Sequence, residues 1–300
     1  MRKNYLGIAG FIFLFFVSSC KKEQVIPSYL YIPNLNTNGF YSISGSDSSE
    51  IYGAKVFLNN QLIGVYQTPV EVPLFAEGEQ TIKTIAVVKK NGFPNDLIPY
   101  PYFDFSTDIA LLEADKTVDL TPTVDYLSTA TVDYWFEDFE NPTIKFVTTD
   151  NSTGELVKTQ NPELVFFDDS NDDVANSTSG QFELNNDSAY IKSLTNENFT
   201  YKKNTNVFVE INYQNNQPFF FDIVVFNQLG QVEKIPFFQF KETINAEGEL
   251  YWNKIYLEIG SLLNTVDLLI SFEICFEMQK DITVANSIVV IDNVKLIKDK

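Results

Sequence analysis

Ser271-Phe272-Glu273-Ile274-Cys275-Phe276-Glu277-Met278 alternates without a break. Phe272, Ile274, Phe276 and Met278 fall on one side of an extended chain; Ser271, Glu273, Cys275 and Glu277 fall on the other. Successive strand side chains point to opposite faces, so this period of two predicts a strand with one face in a core. No segment of the mature chain sustains the i, i+3, i+4 spacing of a helix. Phe, Tyr, Val, Ile and Thr dominate short runs that turn residues punctuate, which is strand composition. The fold class expected is all-β, with two β-sandwich domains after a cleaved leader.

Working outward from 271–278, further strands are expected near 163–167, 180–184, 188–192, 206–213, 219–227, 250–259 and 268–278. The unit opens with Trp135-Phe136-Glu137-Asp138-Phe139-Glu140 and closes with Ile288-Val289-Val290-Ile291-Asp292-Asn293-Val294-Lys295-Leu296-Ile297. A Phe-Glu opening strand and an Ile-Asp-Asn-Val-Lys-Leu closing strand resemble the galactose-binding-like jelly rolls, which include many carbohydrate-binding modules. The resemblance implies a jelly roll over 125–300, with its first and last strands neighbours in space. Trp252 fits the strand that such folds place before a variable crossover. The resemblance also implies a candidate structural calcium ion held by Glu137, Glu140 and Asp292. Calcium takes six to eight oxygens, so backbone carbonyls would complete the set. The alternative is that Asp292-Asn293 is a bend and the glutamates are solvated. No other cofactor is required.

Upstream, Lys55-Val56-Phe57-Leu58 and Leu62-Ile63-Gly64-Val65-Tyr66 flank Asn59-Asn60-Gln61. Asn tolerates positive φ, so Asn59-Asn60 predicts a tight hairpin turn. Thr68-Pro69 ends the second strand and Val70–Leu74 starts another. In the next strand Ile82, Thr84, Ala86 and Val88 share a face. These features, with Glu77-Gly78 before Thr81-Ile82, resemble the small β-sandwich module named PEGA, which implies a scaffold or spacer over 34–124. The stretch 94–108 holds Tyr100, Tyr102, Phe103 and Phe105, and is expected as an aromatic loop or an edge strand. Pro122 and the small polar run Ser128-Thr129-Ala130-Thr131 mark the boundary.

The first residues form an address. Arg2 and Lys3 precede an apolar run from Tyr5 to Val17, followed by Ser18, Ser19 and Cys20. This is the basic, apolar and small-residue order of a secretory signal. The run is shorter than the roughly 20 residues that span a bilayer. Val17-Ser18-Ser19-Cys20 resembles a bacterial lipobox, which implies cleavage after residue 19 and lipidation of Cys20 by diacylglyceryl and further acyl chains, palmitate among them. Residues 20–33 would be a lipidated tether. Cys20-Lys21-Lys22-Glu23 resembles lipoproteins of the Bacteroidetes. The expected location is the outer membrane, held through the lipid anchor, with the periplasmic and cell-surface faces both open.

Composition excludes several chemistries. Forty acidic residues against 21 basic ones set a formal charge of −19, and loss of the leader would remove two more positive charges. Nucleic acid needs phosphate neutralisation by Lys and Arg, so it is excluded as a partner. The chain has no histidine, which removes Ser-His-Asp and Cys-His catalysis and His-ligated zinc. With Cys20 lipidated, Cys275 has no disulfide partner. It sits among carboxylates that raise a thiol rather than activate it. Asp168-Asp169-Ser170-Asn171-Asp172-Asp173 has the alternate spacing of a calcium loop but lacks the glycine and distal glutamate of an EF-hand. No motif pairs two carboxylates for glycoside hydrolysis, so no enzyme activity is expected.

Two roles remain. In the first, the chain is a non-enzymatic accessory or assembly subunit, docking on another envelope protein through its Phe-rich strands and aromatic loop. In the second, it binds surface glycan through the second unit, with Trp135, Tyr213 and Trp252 as the ligand-facing aromatics. Phe outnumbers Tyr 27 to 15 and there are only 2 Trp. Phe offers no polar handle for a sugar, which favours the first role.

Overall fold

A computed structural model describes residues 26–167, 177–184 and 189–300. The leader, Cys20 and the acidic run 168–173 lie outside the described residues. Strand makes up 54% of the structure and helix only 3%, so the fold is all-β. Among the described residues no helix is long and apolar enough to cross a membrane.

The first unit runs β1 (Ser28–Ile32), β2 (Asn36–Asn38), α1 (Tyr41–Ser44), β3 (Gly53–Leu58), β4 (Gln61–Gln67), β5 (Val70–Leu74), β6 (Gly78–Lys89), β7 (Leu97–Pro99), β8 (Ser106–Leu112), β9 (Thr117–Asp119) and β10 (Thr123–Asp125). One sheet has the order β4-β3-β6-β7, with β8 also on β6; a second has the order β5-β1-β9. The β3–β4 hairpin turns at Asn59 and Asn60, with φ of 47° and 66°. Two successive positive φ values give the turn whose twist matches the strands it joins. Ile82, Thr84, Ala86 and Val88 are buried on β6, as the alternation predicts. The expected tether is shorter than 20–33. Leu30 and Ile32 are fully buried on β1, which pairs with both β5 and β9.

The second unit runs β11 (Val132–Glu137), β12 (Phe146–Thr148), β13 (Glu155–Thr159), β14 (Ser179–Glu183), β15 (Tyr190–Thr195), β16 (Phe199–Thr200), β17 (Val207–Asn215), β18 (Phe219–Asn227), β19 (Val232–Phe240), β20 (Asn253–Glu258), α2 (Gly260–Leu263), β21 (Leu269–Gln279) and β22 (Val289–Asp299). Sheet order is β13-β14-β22-β17-β20, with β11 on β22, facing β12-β15-β21-β18-β19, with β16 on β21. The chain passes from one sheet to the other at β11–β12, β12–β13, β14–β15, β16–β17, β17–β18, β19–β20, β20–β21 and β21–β22, which is the winding of a jelly roll. The first and last strands pair, Val132 opposite Asp299 through Glu137 opposite Val294. The strand expected near 163–167 is instead a turn. The amides of Leu164 and Val165 both donate to the Asn161 carbonyl.

The core lies between the two sheets. Phe219 and Phe240 stack with centroids 4.1 Å apart, and Phe221, Phe272, Ile274 and Phe276 are fully buried beside them. Each such side chain contributes about 1.5–3 kcal/mol on leaving water. The Phe-rich strands therefore build the interior, and Phe220 is their one markedly exposed phenyl ring on β18.

The first unit covers the outer face of the β17-containing sheet, so the molecule has a third layer there. Phe208, Tyr256 and Ile297 of the second unit join the first unit's core around Leu30, Val56, Tyr100 and Tyr102. Tyr100, Tyr102 and Phe103 of the aromatic stretch 94–108 are buried in this contact, while Phe105 stays about half-exposed. Tyr100 meets Phe208 at 5.3 Å and Tyr256 at 4.9 Å, both edge-on. At the centre Glu210 is buried and accepts from Tyr100 Oη at 2.6 Å and Tyr126 Oη at 2.8 Å. Lys254 Nζ lies 2.8 Å and Lys295 Nζ 3.8 Å from the same carboxylate. Burial alone would raise Glu210, but the two lysines and the hydrogen bonds from Lys254 and Tyr100 outweigh it and bring the group down to about 2.

Candidate functional site

The seam between the units opens into a cavity of about 620 Å³. Ligand sites commonly have this size and occur at domain interfaces. Its position follows from three edges. β20 ends one sheet of the jelly roll and β19 ends the other. The loop after β6, in the first unit, lies across both.

That loop is pinned to the edge of β20. Asn91 N donates to the Tyr256 carbonyl at 2.8 Å, and Asn91 Oδ1 accepts from Glu258 N at 2.7 Å. These bonds satisfy backbone groups that an open edge strand would leave free. Gly92 has φ +68°, and a Cβ there would stand 3.1 Å from Ile255 Cδ1. Glycine thus supplies both the left-handed turn and the close approach. Phe93 follows and projects over half-exposed at the mouth.

The floor is Tyr213, Ile255 and Tyr256, all buried. Tyr213 packs edge-on against Phe240 at 4.7 Å, and its hydroxyl accepts from Asn253 Nδ2 at 2.8 Å. Burial pushes the Tyr213 phenol up to about 12, with the Asn253 bond pulling the other way. It therefore stays a neutral hydroxyl at any physiological pH. The far wall is Phe237 and Phe238 of β19, half-buried, with Gln239 and Lys241 exposed beyond them. Glu50, Lys89 and Asn91 complete the rim from the first unit. The groove thus sets phenyl faces beside amide, ammonium and carboxylate groups. That combination suits a ligand with both C–H faces and hydroxyls.

Of the three aromatics expected at a ligand, Tyr213 lies in this groove. Trp252 adjoins the groove's Asn253 in sequence, but its ring packs on Phe166 at 5.3 Å. Trp135 sits elsewhere, among Phe146 and Phe199, and its Nε1 donates to Glu197 Oε1 at 2.6 Å. Asn91-Gly92 carried a turn signal in the sequence. Nothing there indicated that the turn would meet Gln239 and Asn253.

Of the three carboxylates named for calcium, Glu137 ends β11, Glu140 lies just beyond it and Asp292 is on β22. Glu137 accepts the amides of Phe139 at 2.6 Å and of Lys145. Glu140 accepts from Ser177 N, Ser177 Oγ and Thr178 N. Asp292 accepts from Ser179 Oγ at 2.5 Å. Burial raises Asp292 well above its ordinary value, and the nearby Asp138 and Glu140 raise it further. A cation would relieve that repulsion, but among the described residues these carboxylates do not converge closely enough to form a metal-holding group. The geometry also brings Asp222, Cys275 and Glu277 together on the open face of the other sheet. Lys234 is already there, 3.2 Å from Asp222 and paired with Glu277. Burial pushes the Cys275 thiol up to about 12, with Asp222 and Glu277 adding to the shift, which suits a structural residue and not a nucleophile.

No protein-family profile and no curated protein matches the chain. Solved structures do. The xylan-binding domain of carbohydrate-binding family 22 is similar over 56% of this chain and 96% of its own length, with 11% identity and a TM-score of 0.35. A family 22 xylan-binding domain from Paenibacillus barcinonensis is similar over 55% of this chain and 94% of its own, with 13% identity and a TM-score of 0.34. The enzymatically active domain of tailspike protein 4 from bacteriophage CBA120 matches 53% of this chain at 14% identity and a TM-score of 0.36; the match spans only 20% of that protein. These likenesses concern the β-sandwich fold.

Proposed function

We propose that this chain is a non-catalytic glycan-binding protein whose sugar lies in the groove between its two units. The observation that carries this reading is the groove wall itself. Phe93, Phe237 and Phe238 stand beside the Asn253–Tyr213 pair and Gln239. Aromatic faces can cover the apolar side of a sugar ring while the amides meet its hydroxyls. The aromatic surplus that favoured an assembly role is largely spent inside the chain, on the core and on the contact between units. The test is a glycan array with the full chain and with Asn253→Ala and Gln239→Ala. Specific signals that fall about ten-fold in either variant support the reading, a loss of about 1.4 kcal/mol. Signals equal in all three proteins would remove the groove from it.

One observation favours a second reading as an assembly subunit. Leu62 and Val65 on β4 and Ile109 and Leu111 on β8 are at least half-exposed on the first unit's sheet. An apolar patch of this kind is a common feature of protein interfaces. Crosslinking in native membranes, with recovery of a stoichiometric partner lost in Ile109→Asp, would support it.

The lipid anchor at Cys20 and an outer-membrane location belong to the same proposal. Cys20→Ala should release the protein from the membrane fraction; unchanged retention would refute the anchor. Because Glu137, Glu140 and Asp292, the carboxylates expected at calcium, do not converge, added calcium and chelation should each leave Tm unchanged; a rise of about 3 °C at saturating ion would restore the site.

A further inference from the structure

We propose that the groove selects an anionic polysaccharide, one whose rings carry uronate carboxylates or sulfate esters, over a neutral glycan; this rests on the glycan-binding reading above. The chain as a whole has formal charge −19, so most of its surface repels a polyanion. The groove reverses that balance. Its charged lining residues are Lys89, Lys241 and Lys254 against the single carboxylate of Glu50. Lys254 is committed to Glu210 at 2.8 Å behind the floor. Lys89 and Lys241 make no ion pair among the described residues. The Lys89 ammonium rests 4.1 Å over the Tyr52 ring, and Lys241 is exposed at the end of β19.

These two lysines, without an ion pair among the described residues, come from opposite walls, Lys89 from the end of β6 and Lys241 from just past β19. A ligand lying between these walls therefore meets a cation on each side. A cleft lined by one sign of charge between low-dielectric walls concentrates the field inside it. A neutral sugar gains little from that field. A carboxylate or sulfate gains a charge-assisted hydrogen bond from either ammonium. Glu50 opposes the effect, so its removal should strengthen the selection.

The experiment measures binding of the full chain to homogalacturonan and to its carboxyl-reduced, neutral form. A parallel pair, a sulfated galactan (kappa-carrageenan) and its desulfated, neutral form, separates carboxylate from sulfate. The charged member of at least one pair should bind about ten-fold tighter at low salt. That advantage should shrink as NaCl rises from about 0.05 to about 0.5 M, because screening shortens the range of the field. Lys241→Gln and Lys89→Gln should each weaken binding of the charged form about three-fold, and Glu50→Gln should tighten it. Equal or tighter binding of the neutral members, or of neutral glycans alone on the array, would overturn the anionic selection and leave the groove reading standing. Binding to no glycan, charged or neutral, would overturn both.

Discussion

Glu210 on β17 and Asp222 on β18 are both buried carboxylates paired with lysine, one on each sheet of the same jelly roll. Their electrostatics run in opposite directions. Glu210 is enclosed by two lysines and two tyrosines, and it is brought down to about 2 although burial would raise it. Asp222 is raised. Its burial outweighs the single partner Lys234, and the neighbouring Glu277 adds repulsion. The difference comes from what lies on top. The first unit supplies Tyr100 and Tyr126 to Glu210 and closes the site from water, whereas among the described residues no second layer packs over the face around Asp222. One sheet thus has both faces inside the protein and the other has one. The groove forms where that covered region ends.

The largest expected effect comes from breaking the enclosed network. Glu210→Gln leaves Lys254 buried without the carboxylate 2.8 Å away and removes the 3.8 Å contact of Lys295, and should destabilise the fold by about 3–5 kcal/mol in denaturant unfolding. A loss below about 1 kcal/mol would mean that the network does not join the units.

Acid should reveal the same carboxylate. Glu210 has a folded value of about 2 against an ordinary 4.5. Its contribution is present above the unfolded value and is lost as pH falls from about 4.5 through about 2. Tm measured across that window should fall more steeply in the natural protein than in Glu210→Gln. Parallel curves would assign acid sensitivity to other groups.

The smallest effect belongs to the open face. Lys234 is a third exposed, so Lys234→Ala should cost under about 1 kcal/mol, since solvent screens its ion pairs. A larger loss would erase the contrast between the two sheets.

The hairpin at Asn59-Asn60 and the strand 271–278 were legible because each has one wet face, and alternation records that face. β17 and β22 offered no such record. Val207–Asn215 is buried along its whole length, since one face packs in the sandwich and the other under the first unit. In sequence, Glu210, Lys254 and Lys295 look like the polar side of solvent-facing strands. Their burial depends on a layer contributed by residues 84 to 249 positions away. The same holds at the groove. Tyr213 could be singled out by residue type, but Asn91 and Gln239 line one groove only because the loop after β6 lands on β20. The aromatic stretch 94–108 was visible as composition, and its partner turned out to be Phe208 and Tyr256 of the same chain.

The central claim is that ligand binds at the seam and not on the open sheet face. Hydrogen–deuterium exchange of the full chain, with and without a saturating glycan from the array, tests it most directly. The account predicts slowed exchange in segments 89–94, 237–241 and 253–256, with 220–226 and 271–277 unchanged. Protection confined to 220–226 and 271–277 would place the ligand on the uncovered face and contradict it.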